Sequence, residues 1–162
     1  MSVRPVRIVL AALAALITAV IFANPASAVA AKFHSATGSV SGSGALVVSF
    51  DERGVGNGNI DYTLSADATA VYACINGGGK HPKAANKESV NAEVSGGGSF
   101  ESKNGRVIAS VSAGPISAGD FACPPGQRLV LASVSYSNIV LTDTTNGTSV
   151  SIDDVSSIFL DV

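Results

Sequence analysis

The chain has 162 residues, 14% charged, and its first 28 read as a removable leader; without Arg4 and Arg7 the rest carries net charge −4. Residues 29–162 suffice for one domain and are too rich in Val, Ile and Leu for a disordered chain. The balance excludes a basic nucleic-acid binder, and no apolar run after residue 28 is long enough to span a bilayer.

The leader opens with two arginines and no acid, continues as the apolar run Ile8–Ala23, breaks at Asn24-Pro25 and ends Ala26-Ser27-Ala28. A positive start, a short apolar stretch and an A-x-A site describe a secretory signal peptide cleaved after Ala28, with Ala30 a second site. The run is shorter than the ~20 residues of a spanning helix, so no membrane attachment is expected after cleavage. The expected product is secreted and extracellular. Export governs how the two cysteines, Cys74 and Cys123, are read. An oxidising compartment and an even count predict one structural disulfide. There is no C-x-x-C, and four soft zinc ligands are not present.

Period-two alternation then recurs between Gly, Asn, Pro and Ser clusters, with no helical stripe. Gly44–Phe50 is the first compact strand-like run, and His34 before it is expected to lie in a loose N-terminal segment. Ile60, Tyr62 and Leu64 alternate with polar residues, and Ala68–Ile75 carries Tyr72 and Cys74 on one face. Further strands are expected at Val90–Val94, at Val107–Val111, over Leu129–Leu141 as one strand or two broken near Asn138, and at Val150–Ile152 and Ile158–Leu160. Lys103-Asn104-Gly105-Arg106 is a two-residue hairpin signal that sets Ser102 opposite Val107 and Phe100 opposite Ala109. Thr145-Asn146-Gly147-Thr148 sets Leu141 opposite Ile152 in the same way. These elements predict an all-β fold, an immunoglobulin-like antiparallel β-sandwich with one disulfide, or alternatively a small barrel. Tyr72-Ala73-Cys74 resembles the tyrosine-corner pair of immunoglobulin domains, but it precedes the first cysteine rather than the second, and the buried Trp is missing.

The most unusual segment is Asn76–Lys87, where three glycines lead into Lys80, His81, Lys83 and Lys87. Together with Asn76 these form the candidate binding loop, suited to an anionic cell-wall polymer or an acidic protein patch. The same composition also suits a plain solvated connection. His34 and His81 are the available neutral-pH bases, and no serine lies in a G-x-S-x-G elbow, so no catalytic residue is assigned. Asp143, Asp153 and Asp154 converge across the second hairpin; solvated hairpin carboxylates account for them, and no metal or cofactor is assigned.

Two blocks, Tyr72–Lys87 and Cys123-Pro124-Pro125-Gly126-Gln127 running on through Leu129–Tyr136 to Asp143–Gly147, resemble small exported proteins of Streptomyces-type actinobacteria, a family to which no activity is attached. The resemblance implies a bacterial, extracellular setting and transfers no site residue. The functional expectation is a secreted, non-catalytic surface-binding or envelope-associated module. The alternative is a secreted hydrolase or hydrolase inhibitor on the same scaffold.

Overall fold

A computed structural model describes residues 30–76 and 86–162. The expected signal peptide, with its Ala28 site, lies outside them. All regular structure among the described residues is β. The strands are β1 (Lys32–Val40), β2 (Leu46–Arg53), β3 (Asn59–Asn76), β4 (Lys87–Glu101), β5 (Arg106–Ala113), β6 (Gln127–Asp143), β7 (Thr148–Ile152) and β8 (Val155–Ile158). No described helix is long and apolar enough to cross a membrane.

Two antiparallel sheets result. One has the order β1-β2-β5; the other runs β4-β3-β6-β7, with β8 also paired to β6. Leu46, Val48 and Phe50 of β2, with Val107, Val111 and Ala113 of β5, face Ile60, Tyr62 and Leu64 of β3 and Val134, Tyr136, Ile139 and Leu141 of β6. Alternation places Leu46, Val48 and Phe50 of β2 and Ile60, Tyr62 and Leu64 of β3 in that core, which is why the period-two pattern was visible there. Phe33, Phe50, Tyr62 and Phe100 form one aromatic cluster, with the Phe50 and Tyr62 ring centroids 4.5 Å apart. Tyr136 is buried too, its hydroxyl donating to the Gly44 carbonyl at 2.6 Å.

The fold is sandwich-like, and the barrel alternative is overturned: the sole ladder link from β4 to β5 is the isolated Lys103↔Arg106 bridge. This also corrects the first hairpin. The tight turn forms, with Asn104 at φ 53° and Gly105 at φ 71°, but β4 then pairs with β3 and β5 with β2. Ser102 and Phe100 therefore have no ladder partners at Val107 and Ala109. The β2–β3 loop wedges the arms apart. The Gly105 carbonyl accepts from the Gly54 and Val55 amides, while the Ser102 amide and hydroxyl donate to Gly58 and Gly56 carbonyls. Phe100, Val107 and Ala109 still pack on the same core.

The second hairpin forms with a different register. Asp143 pairs with Thr148 and Leu141 with Val150, not Ile152, around a four-residue loop. The Asp143 carboxylate takes the Thr145 and Asn146 amides at 2.8 and 2.9 Å, which favours the wider turn. A two-residue slip keeps each side chain on its face, so the core assignment survives.

Two further differences and one settled alternative concern single elements. The segment around His34 is not loose; it is edge strand β1, paired with β2 from Lys32↔Arg53 to Val40↔Leu46. The two runs from Ile60 and from Ala68 are one 18-residue strand. Of the two alternatives for Leu129–Leu141, the single strand forms, as Gln127–Asp143, with left-handed Asn138 opposite the register shift between Ser65 and Asp67.

Gly96 has a packing role. A Cβ there would fall 1.9 Å from the Ser112 carbonyl oxygen, so only glycine lets β4 lie this close to β5.

Candidate functional site: a cationic row and a buried carboxyl pair

Cys74 and Cys123 are joined, with a Cα–Cα distance of 5.5 Å. Cys74 lies on β3 and Cys123 in the irregular β5–β6 connection, so the bond ties a strand to a connection rather than sheet to sheet. A disulfide of this kind is compatible with an extracellular protein.

Of the candidate loop, Asn76 ends β3 and Lys87 begins β4. The exposed Lys87 ammonium donates to the Val162 carbonyl at 3.4 Å. Lys80, His81 and Lys83 lie outside the described residues. His34 sits exposed at a bulge in β1, between the Phe33↔Glu52 and Ser35↔Asp51 pairs. Among the described residues its side chain has no hydrogen bond to a serine or a carboxylate. Asp143 is not a solvated hairpin carboxylate. It is fully buried, and its oxygens are taken by two backbone amides and the Asn146 side-chain amide. Asp153 and Asp154 are exposed, and no cluster of three or more His, Cys, Asp or Glu suited to a metal occurs among the described residues.

Strand pairing assembles what the linear chain kept apart. Lys32, Arg53 and Arg106 are directly opposite one another across β1, β2 and β5, and Lys103 is the bridge partner of Arg106. All four are exposed. At about 4.8 Å per strand step the row is roughly 15 Å long. It gathers four of the eight basic residues that follow residue 28. With Asp51 and Glu101 included, the patch carries +2 in a chain whose net charge is negative.

Asp51 organises the row. Its residue exposure is 8%, and it accepts from Arg106 Nε and Nη2 at 2.7 Å each and from Arg53 Nη2 at 3.0 Å. These charge-assisted bonds hold the Asp51 carboxyl far below its ordinary range, and they raise the Arg106 guanidinium in turn. The arginine side chains remain 51% and 44% exposed. Each guanidinium has five N–H groups, so most of theirs stay outside these three bonds. Three open grooves border them. One of about 470 Å³ is lined by Glu101, Lys103, Asn104, Arg106 and Ile108; another of similar size runs between Arg53 and Arg106 along Gly54, Asn104 and Gly105. The third, about 360 Å³, includes Lys32, His34 and Arg53.

Directly beneath, Glu52 points the other way, into the core. It is fully buried, accepting from the Tyr62 hydroxyl at 2.8 Å and the Thr148 hydroxyl at 2.7 Å. Burial raises the Glu52 carboxyl, the two hydroxyl donors lower it, and the nearby Asp143 charge raises it again. Burial and the Glu52 carboxyl both push the Tyr62 phenol upward. This group joins β2 of one sheet to β3 and β7 of the other. With no solvent-accessible surface, it is a cross-sheet clamp rather than a reacting acid.

Sequence reasoning missed both features. The signal was Asp51-Glu52-Arg53, three charges closing an apolar strand, where alternation alone sends the middle one inward.

No protein-family model matches the chain, and no curated protein or solved structure matches it.

Proposed function

We propose that the protein is an exported, non-catalytic binding module that attaches to an anionic component of the bacterial cell envelope. One observation carries this reading: Lys32, Arg53 and Arg106 stand in register across all three strands of one sheet, continued by Lys103. Like charges placed opposite one another weaken a sheet; Asp51 offsets part of that repulsion, and the excess positive charge that remains suits an anionic ligand. The leader-like residues 1–28, the disulfide and the resemblance to exported actinobacterial proteins support an extracellular site of action. The immunoglobulin-like assignment rests on eight strands, among the described residues, in two antiparallel sheets. The cationic loop at 76–87 is a second contact region of the same reading. Its described ends are separated from the row by the whole of β3, about 55 Å of strand.

The test is retention of the purified, disulfide-bonded protein on an insoluble cell-envelope fraction, at low and high salt. Retention at low salt that is lost at high salt is expected. No retention overturns the proposal. Joint Lys80→Ser, Lys83→Ser and Lys87→Ser variants measure how much of it belongs to the loop.

A further inference from the structure

Resting on that reading, we infer that Asp51 is a positioning residue. It presents Arg53 and Arg106 as a paired guanidinium cradle for successive phosphates of a linear polyol-phosphate polymer of the envelope.

The cradle follows from the geometry of the three side chains. Arg53 and Arg106 are nearest neighbours across the β2–β5 pair, and both donate to the same Asp51 oxygen, Oδ2. A half-exposed arginine elsewhere on a surface samples many rotamers, whereas these two share one fixed acceptor. Pre-ordering removes much of the entropic cost of closing a fork around an oxyanion. Lys32 and Lys103 extend the cradle at either end, so the ligand is a chain of charges rather than one anion.

The aromatic residues select the chemistry of that chain. Phe33, Phe50, Tyr62 and Phe100 belong to the internal cluster, and Tyr136 is buried. Tyr72 is occupied by the Ile116 carbonyl. The grooves along the row hold no aromatic ring except the partly buried Phe33. Single-stranded nucleic acids are held largely by stacking on exposed rings. A polyol-phosphate chain has no ring to stack and offers only repeated phosphates, which guanidinium forks match two bonds at a time.

The experiment measures binding of poly(glycerol phosphate) by the disulfide-bonded protein, with polygalacturonate and a single-stranded oligonucleotide as separate arms. Circular dichroism confirms that each variant is folded. Poly(glycerol phosphate) is expected to bind tightest. Joint Arg53→Gln and Arg106→Gln should weaken it at least ~10-fold and flatten the dependence of log K on log salt by about 1.5. Asp51→Asn is decisive: it makes the patch more positive, so general attraction strengthens binding, whereas loss of positioning weakens it several-fold. Charge-conserving Arg53→Lys with Arg106→Lys should weaken binding in the same sense. Unchanged or tighter binding by Asp51→Asn, or undiminished binding by the double-lysine protein, overturns the inference. So does tighter binding of polygalacturonate or the oligonucleotide. Retention on the envelope fraction without binding of poly(glycerol phosphate) overturns this inference and leaves the broader reading standing. Failure of both removes both.

Discussion

The Tyr62 hydroxyl donates to the fully buried Glu52 carboxyl at 2.8 Å, joining the two sheets through a polar contact in the core. Removing that donor leaves a buried carboxyl short of a partner, which costs about 1–3 kcal/mol. Tyr62→Phe keeps the ring in the aromatic cluster, so the loss isolates the hydroxyl. A urea midpoint lowered by that amount is expected; an unchanged midpoint shows that the clamp contributes nothing.

The two adjacent acids, Asp51 and Glu52, give opposite pH dependences. Asp51 has a folded-state value below the ordinary 3.8, so its stabilisation is present above about 3.8 and is lost as pH falls. Glu52 has a folded-state value above the ordinary 4.5. Its contribution is complete below 4.5 and declines as pH rises through the elevated value. Unfolding midpoints measured across pH should therefore fall on both sides of the mildly acidic range. Glu52→Gln should flatten the decline toward neutral pH and Asp51→Asn the decline toward strong acid. The reverse assignment would refute this account.

Reduction of Cys74–Cys123 opens a loop with a sequence separation of 49. Chain entropy puts the loss near 4 kcal/mol. Denaturation with and without reductant, and of Cys123→Ser, measures it. Because the bond joins β3 to a connection rather than sheet to sheet, the sheet architecture should persist at low denaturant when it is reduced.

Gly96→Ala places a methyl group 1.9 Å from the Ser112 carbonyl oxygen and 2.8 Å from its carbon. Backbone has to move, at a cost of about 1–3 kcal/mol. Gly126→Ala is a useful contrast: its Cβ meets nothing within 4 Å, although φ of +84° still imposes backbone strain. Equal thermal stability of Gly96→Ala and the parent would show that β4 does not depend on this close approach.

Local pattern made the strand-only class, the facing of Ile60, Tyr62 and Leu64, the Asn104-Gly105 turn, the presence of a second hairpin and the cysteine pair legible in the sequence. Each depends on residues within a few positions of one another, or on a count of two. Pairing partners were not legible. A turn such as Asn104-Gly105 specifies only its own two residues, and the β2–β3 loop then sends the arms to different sheets. Edge strand β1 escaped notice because its outward face is polar and the bulge at His34 interrupts its alternation. The candidate site shows the same division. Alternation dictates that Asp51 and Arg53 share one face and Glu52 the other, but Arg106 is 55 positions from Asp51. Only the antiparallel register of β2 against β5 carries it there, because hydrogen-bonded strands bring together residues that chain distance keeps apart.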